Sequence, residues 1–401
     1  MIVNIEDLRK HAHRRLPRAV FDYVDGGAED EYTMRANRLG FEKYNFHARA
    51  LVDVSARDQS TTLLGEKLTT PVILGPTGLA GLVAPRGEIL AARAAAKKGS
   101  IFTLSTMSVC SIEEVASAVP APAPLWFQLY VWKDRGISKA LIERAQAAGY
   151  RALCLTVDVA DMGRRERDIR NGFTIPLRVT PSNVLDTLMH LGWVFQMLRV
   201  PRPTFGNFVG TGTVEKEDAI SVASFTSKQF DPSVSWADLA WVRSIWKGPL
   251  LLKGISCAAD ARLAVEHGVE GVIVSNHGGR QLDFLPSAID LLPEIVDAVE
   301  GRTELILDGG IRRGSDVVKA IALGARACMV GRPFLYGLAT KGEAGVELMF
   351  DLLRTEIDRT LSLIGRPKLR DLDRSALRYD TRLLPPPAGE DVKHLTTRSV
   401  A

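Results

Sequence analysis

The 401-residue sequence has only four cysteines, Cys110, Cys154, Cys257 and Cys328, and no two of them stand as CxxC. That spacing offers neither a zinc-ligand set nor a disulfide framework, so the four read as free thiols in a reducing compartment, and no metal site is expected. No run of about 18 apolar residues occurs, so no helix is expected to span a membrane. The N-terminal stretch MIVNIEDLRKHAHRRLP has no apolar core and is not read as a secretion signal. Charge of one sign is also scarce. The formal net charge is +4 and the pI about 8.8, too mild and too evenly spread to predict a nucleic acid partner. Mixed-sign clusters such as RRERDIR read as solvated surface. What remains, with 46% hydrophobic and 24% charged residues, is a cytoplasmic globular chain with a sizeable core.

The core has a recognisable order. Eight short apolar runs occur at 71–78, 100–106, 124–130, 152–158, 249–254, 271–279, 304–310 and 327–332. They are continuous rather than alternating, as in strands buried on both faces of a parallel sheet. Stretches rich in Ala, Leu, Glu and Lys lie between most of them, among them EILAARAAAKKG and GSDVVKAIALGA, and several end in glycine. Eight βα units predict an α/β fold, a (β/α)₈ TIM barrel. An open dinucleotide-binding sheet would place GxGxxG after the first strand, and GPTGLAG matches it poorly. Roughly 90 residues separate Asp158 from Pro249, too many for a βα connection, so a long loop is expected over 159–248. Residues 1–65 precede the first strand and are expected to form helices or a cap over one end. One barrel domain would then span 1–381, followed by a tail, 382–401.

In such a barrel the site lies at the C-terminal ends of the strands. Those ends are polar or glycine in every unit: Pro76-Thr77-Gly78, Ser105, Gln128 and Tyr130, Thr156 and Asp158, Lys253, Ser275 to Arg280, Asp308-Gly309-Gly310 with Arg312, and Gly331-Arg332. The seventh and eighth ends combine close-approach glycines with Arg312 and Arg332, which suits a phosphate. A cofactor anchored there would meet Lys253, Gln128, Thr156, Ser105 and Thr77, the partners a flavin ring needs, with Lys253 as the cation that stabilises a reduced ring.

The motifs SNHGGRQLD, DGGIRRGSDVVKAIALGA, GRPFLY, WFQLY, LTVD followed by GRRERD, and RLPRAVFDYVDGGAEDEYT together resemble the FMN-dependent α-hydroxy acid dehydrogenase and oxidase family, from about residue 4 to about residue 380. That family includes glycolate oxidase, L-lactate dehydrogenase and mandelate dehydrogenase. The resemblance implies FMN at the barrel mouth and oxidation of a small L-2-hydroxy acid to the 2-oxo acid. It implies His277 as the base, Asp158 as the group that orients the imidazole, and Tyr130 as donor to the substrate hydroxyl. Tyr23, Arg165 and Arg280 would hold the substrate carboxylate, guanidinium forks being the natural grip for that group. Gly278 and Gly279 would let the backbone turn closely beside substrate and flavin. A homotetramer is also implied.

Two positions bear on substrate size and one segment on the electron acceptor. Glycolate-oxidase-like members tend to carry Trp where Met107 stands, and some relatives carry Ala at Gly78. Both departures favour lactate, or a bulkier acid such as mandelate, over glycolate, while Met107 also reads as a residue that simply fills the core. The segment 182–203 puts Asn183, Asp186, Thr187 and His190 on one helical face and Leu185, Leu188 and Met189 on the other. Beyond Gly192 it is apolar nearly all round, with Arg199 and Arg202 following. It fits a membrane surface on the inner face of the cell membrane, with a quinone as acceptor. It fits equally a helix pair packed on its own barrel or on a neighbouring subunit. The same site using O₂ as acceptor, and so releasing hydrogen peroxide, is the alternative.

Overall fold

The computed structural model describes residues 1–172, 180–200, 204–209 and 229–380. The tail 382–401, and Arg202 with its neighbours 201 and 203, lie outside the described residues.

The eight apolar runs form eight parallel strands: β1 (Val72–Leu74), β2 (Phe102–Ser105), β3 (Leu125–Leu129), β4 (Ala152–Thr156), β5 (Leu250–Ile255), β6 (Gly271–Ser275), β7 (Glu304–Asp308) and β8 (Ala327–Val330). They pair in chain order, and β8 returns to β1 through Met329 opposite Ile73, which closes the barrel. The strands are buried along nearly their whole length, because one face meets the barrel interior and the other the surrounding helices. This is why they read as unbroken apolar runs. The helices between them carry ordinary start signals. Ser111 and Glu114 form a capping box at the helix Ile112–Ala118, and Asp134 accepts from Gly136 N ahead of Arg135–Ala147.

The N-terminal segment does two jobs rather than one. Helices α1 (Ile5–Arg15), α2 (Arg18–Asp25) and α3 (Tyr32–Leu39) form the expected cap, and α2 brings Tyr23 to the mouth. The two-stranded hairpin Thr61–Leu63 and Glu66–Leu68 instead adds Leu63 and Leu68 to the interior layer of Ile73, Ile101, Trp126, Ile273, Ile306 and Met329. Full burial of each leucine contributes about 2 kcal/mol. Position 65, expected to end the cap, therefore falls in the turn of this hairpin.

Within the long loop after β4, the described part of the segment 182–203 holds two helices, Pro181–Met189 and Leu191–Met197, with a break at His190. Its polar face is the one held by the protein. Asp186 accepts from Arg18 N at 2.6 Å, Asn183 donates to Asn171 O, and Trp193 Nε1 donates to Leu82 O at 2.8 Å. The apolar face points outward: Leu185 is 62% exposed, Met189 68%, Phe195 58% and Leu198 75%. No helix among the described residues is long and apolar enough to cross a membrane.

Candidate active site

Strand register brings the polar strand ends to one level. Ser105 lies opposite Gln128, Thr156 opposite Lys253, and Ser275 opposite Asp308. Above this ring opens a cavity of about 710 Å³. Of the residues singled out from sequence, Tyr23, Pro76, Thr77, Gly78, Ser105, Met107, Tyr130, Arg165, Lys253, His277, Arg280, Asp308, Gly309, Gly310, Arg312, Gly331 and Arg332 line it. Asp158, Gln128, Thr156 and Ser275 stand just behind this wall, and each acts on, or lies beside, a residue in it.

His277 directly follows β6, after Asn276. Its backbone is left-handed (φ 56°), a conformation unfavourable for a side chain with a Cβ, and it is held there by His277 N donating to Ser275 Oγ at 3.0 Å. Its Nδ1 lies 2.9 Å from Asp158 Oδ1. Asp158 is the acceptor of that pair, so Nδ1 carries the hydrogen and Nε2 is the nitrogen that can take a proton. Burial raises the pKa of the Asp158 carboxyl. The charge and hydrogen bond of His277, with the charge of Lys253, more than offset this and hold it below the usual carboxylate value. Gly254 makes room for this carboxylate, since a Cβ there would sit 2.5 Å from Asp158 Cγ.

The second cluster is cationic. Arg280 lies 5.1 Å and Arg165 5.8 Å from the centre of the Tyr23 ring, so two guanidiniums flank one phenol. Arg280 Nη1 donates to Tyr23 O at 2.7 Å and Gly26 O at 3.1 Å, which fixes the fork. Burial, and then the neighbouring Arg165, push the Arg280 pKa down to about 10. Asp168, 3.5 Å from Arg165 Nε, is the nearby counter-charge, and burial raises its pKa despite Arg165 and Arg280. Such a pocket favours an added anion. Tyr130 stands on the same cavity, and burial, followed by the charge of Asp158, raises its phenol pKa well above the ordinary value. It is therefore a hydrogen-bond donor at neutral pH.

A third group fits a flavin mononucleotide. Gln128 Nε2 and Thr156 Oγ1 are buried and make no hydrogen bond among the described residues, as two donors reserved for a ligand would be. Lys253 is buried beside them. Burial opposes its charge, but Asp308 at 2.8 Å, then Asp158, raise its pKa and keep it an ammonium, and Ser275 Oγ accepts from it at 3.1 Å. On the same cavity, after β7 and β8, Arg312 and Arg332 make no ion pair among the described residues. Arg312 donates to Ile311 O, and Arg332 to Val24 O, Gly26 O and Gly278 O. Burial lowers the Arg312 pKa, the mark of a cation short of a counter-anion. Gly310 has φ 80°, and a Cβ there would collide with Asn37 O. Buried donors with no hydrogen bond and guanidiniums with no ion pair among the described residues fit the chemistry of a flavin ring and of a phosphate.

Some of this was not visible in the sequence. Thr204, Phe205 and Phe230 return from the long loop to line the cavity. RRERDIR is not simply solvated surface. Arg165 and Asp168 face the site, while Arg167 binds Glu31 and lies 3.4 Å from Asp25. Asp25, 4% exposed, also takes Arg9 at 2.6 Å and the Tyr336 hydroxyl at 2.7 Å. It pins α1 and α2 to the helix that Arg332 begins. The signal for this lies in charges far apart in sequence, which a local reading does not connect. All four cysteines are free thiols, and no cluster of metal-ligating side chains occurs among the described residues.

Comparison with known proteins gives a consistent result. The family model described as FMN-dependent dehydrogenase matches residues 12–379. The chain is 46% identical to an L-lactate dehydrogenase of Pectobacterium atrosepticum, covering 92% of this chain and 95% of that one. It is 44% identical to glycolate oxidase 3 of Arabidopsis thaliana, covering 94% and 96%. Among solved structures it is similar to the monotopic membrane protein (S)-mandelate dehydrogenase, with a TM-score of 0.90, 43% identity, and coverage of 94% and 99%.

Proposed function

Because the chain belongs to the FMN-dependent dehydrogenase family and is an FMN-dependent 2-hydroxy acid oxidoreductase, we propose that it oxidises an L-2-hydroxy acid larger than glycolate, L-lactate or a bulkier acid such as mandelate. One observation carries the assignment of roles. His277, backed by Asp158, and the Arg165–Arg280 pair open onto a single cavity.

Arg280 and Arg165 hold the substrate carboxylate, and Tyr23 is its third donor. Tyr130 donates to the hydroxyl oxygen. His277 Nε2 takes the proton that leaves the substrate, and Asp158 stabilises the resulting imidazolium across the 2.9 Å bond. Bound FMN supplies the two-electron acceptor, which no side chain here provides. Lys253, Gln128, Thr156 and Ser105 would hold the polar edge of its ring, with Pro76, Thr77 and Gly78 beside it. Arg312 and Arg332, with the backbone of Gly309, Gly310 and Gly331, would hold its phosphate. Ser275 and Asp308 keep the Lys253 ammonium in place. Met107 and Gly78 leave the side-chain end less obstructed than a tryptophan would.

The proposed acceptor is a quinone, reached at the inner face of the cell membrane. The outward apolar face of Pro181–Leu198, with its polar face committed to the protein, supports this, as does the likeness to a monotopic membrane protein. The likeness to a glycolate oxidase favours the second reading, transfer to O₂ with release of hydrogen peroxide. The test is to mix the yellow protein anaerobically with L-lactate, L-mandelate and glycolate and compare rates of flavin bleaching. Reoxidation is then timed with a short-chain quinone and with O₂. Glycolate bleaching fastest would refute the size argument, and peroxide at the turnover rate would select the oxidase. Replacing Leu188 and Phe195 by glutamate should release the protein from lipid vesicles. A homotetramer belongs to the same proposal and is read by light scattering.

A further inference from the structure

We propose that Phe230 is a specificity-determining residue, which closes the side-chain end of the cavity with an aromatic wall and selects an aryl-substituted 2-hydroxy acid over one bearing a methyl group. This rests on the hydroxy acid reading of the site above. The four substituents of the substrate's Cα decide the geometry. The carboxylate goes to Arg165 and Arg280. The hydroxyl goes to Tyr130, and the hydrogen lies toward the base or the flavin. The side chain is left with the apolar part of the wall, where Phe205 and Phe230 are the aromatic members beside Met107, Leu79, Leu82, Val159 and Met162.

Phe230 is fixed beside the strand end that carries Tyr130. It forms an isolated antiparallel bridge with Trp132, and Lys133 N donates to Gln229 O at 2.8 Å beside it. Its ring meets Tyr130 edge-on, 5.4 Å between centroids at 66°, and lies 5.0 Å from Trp132. Trp132 is backed in turn by Phe208 at 5.8 Å, and both of those rings are buried. Buried rings therefore back this wall on the side away from the cavity. It presents an aromatic surface beside the phenol that meets the substrate hydroxyl, and a phenyl substituent gains an edge-to-face contact there that a methyl group is too short to make.

The test compares kcat/KM for L-mandelate and L-lactate on the same FMN-loaded preparations of wild type, Phe230→Ala and Phe230→Leu. The Leu variant keeps a comparable apolar volume if Ala disturbs the fold. The ratio of the two constants does not depend on how much enzyme is folded. It is expected to fall in both variants, by about tenfold in the alanine variant. A ratio that falls less than about fivefold in Phe230→Ala, or that moves toward mandelate in either variant, overturns the proposal. A wild-type enzyme that bleaches with no 2-hydroxy acid would instead fail the functional reading itself.

Discussion

Asp158→Asn isolates what the carboxylate does for the base. Asparagine keeps the shape but removes the charge, and its amide can donate to Nδ1. That would favour the tautomer with hydrogen on Nε2, the nitrogen that must be free. The lower bound on the cost is one charge-assisted hydrogen bond, about 1.5 kcal/mol. The upper bound comes from Coulomb's law for a contact pair at an effective dielectric near 20, about 4 kcal/mol. These limits correspond to a loss of roughly 10- to 1,000-fold in the rate of flavin reduction. The assay is anaerobic stopped-flow bleaching at saturating substrate, with FMN content measured beforehand from absorbance. Asp158 lies behind His277 and does not line the cavity, so FMN content should match wild type. Full FMN content with bleaching within threefold of wild type would refute the reasoning.

Arg280→Lys loses the fork that reaches Tyr23 O and Gly26 O, so KM for the hydroxy acid should rise about 10- to 100-fold while FMN uptake stays unchanged. An unchanged KM would remove Arg280 from the carboxylate site. Asp25→Asn should destabilise the cap in a pH-dependent way. Burial opposes the Asp25 charge, but Arg9 and Tyr336 bring its pKa from 3.8 down to about 2. A depressed carboxylate contributes stability above its unfolded pKa and loses it as pH falls through the folded value, here about 2 kcal/mol between roughly pH 5 and pH 2. Thermal melts of wild type and variant should therefore converge in acid, and a gap of constant size would contradict this.

The barrel was legible because two-sided burial writes itself as continuous apolar runs, and because eight of them recur with helical spacers. The ring of strand ends was legible for the same reason, since Ser105, Gln128, Thr156, Lys253 and Asp308 break those runs at corresponding points. The assignment of His277, Tyr23 and Arg165 needed the family's motifs; one histidine among seven carries no role by itself. The hairpin at 61–68 escaped because three-residue strands are too short to show a period. The loop's two faces at 182–190 were readable, but which of them meets the protein depends on Arg18 and Asn171, reached from Asp186 and Asn183 only in the fold. Phe205 and Phe230 escaped because chain return to a site leaves no local pattern.

The most direct test of the account is His277→Ala, loaded with FMN and mixed anaerobically with L-lactate and L-mandelate. The protein should remain yellow and still bind substrate, seen as a perturbation of the flavin spectrum, while bleaching slows by about 10²- to 10⁴-fold. Bleaching near the wild-type rate would show that the imidazole beside Asp158 is not the group that takes the substrate's proton.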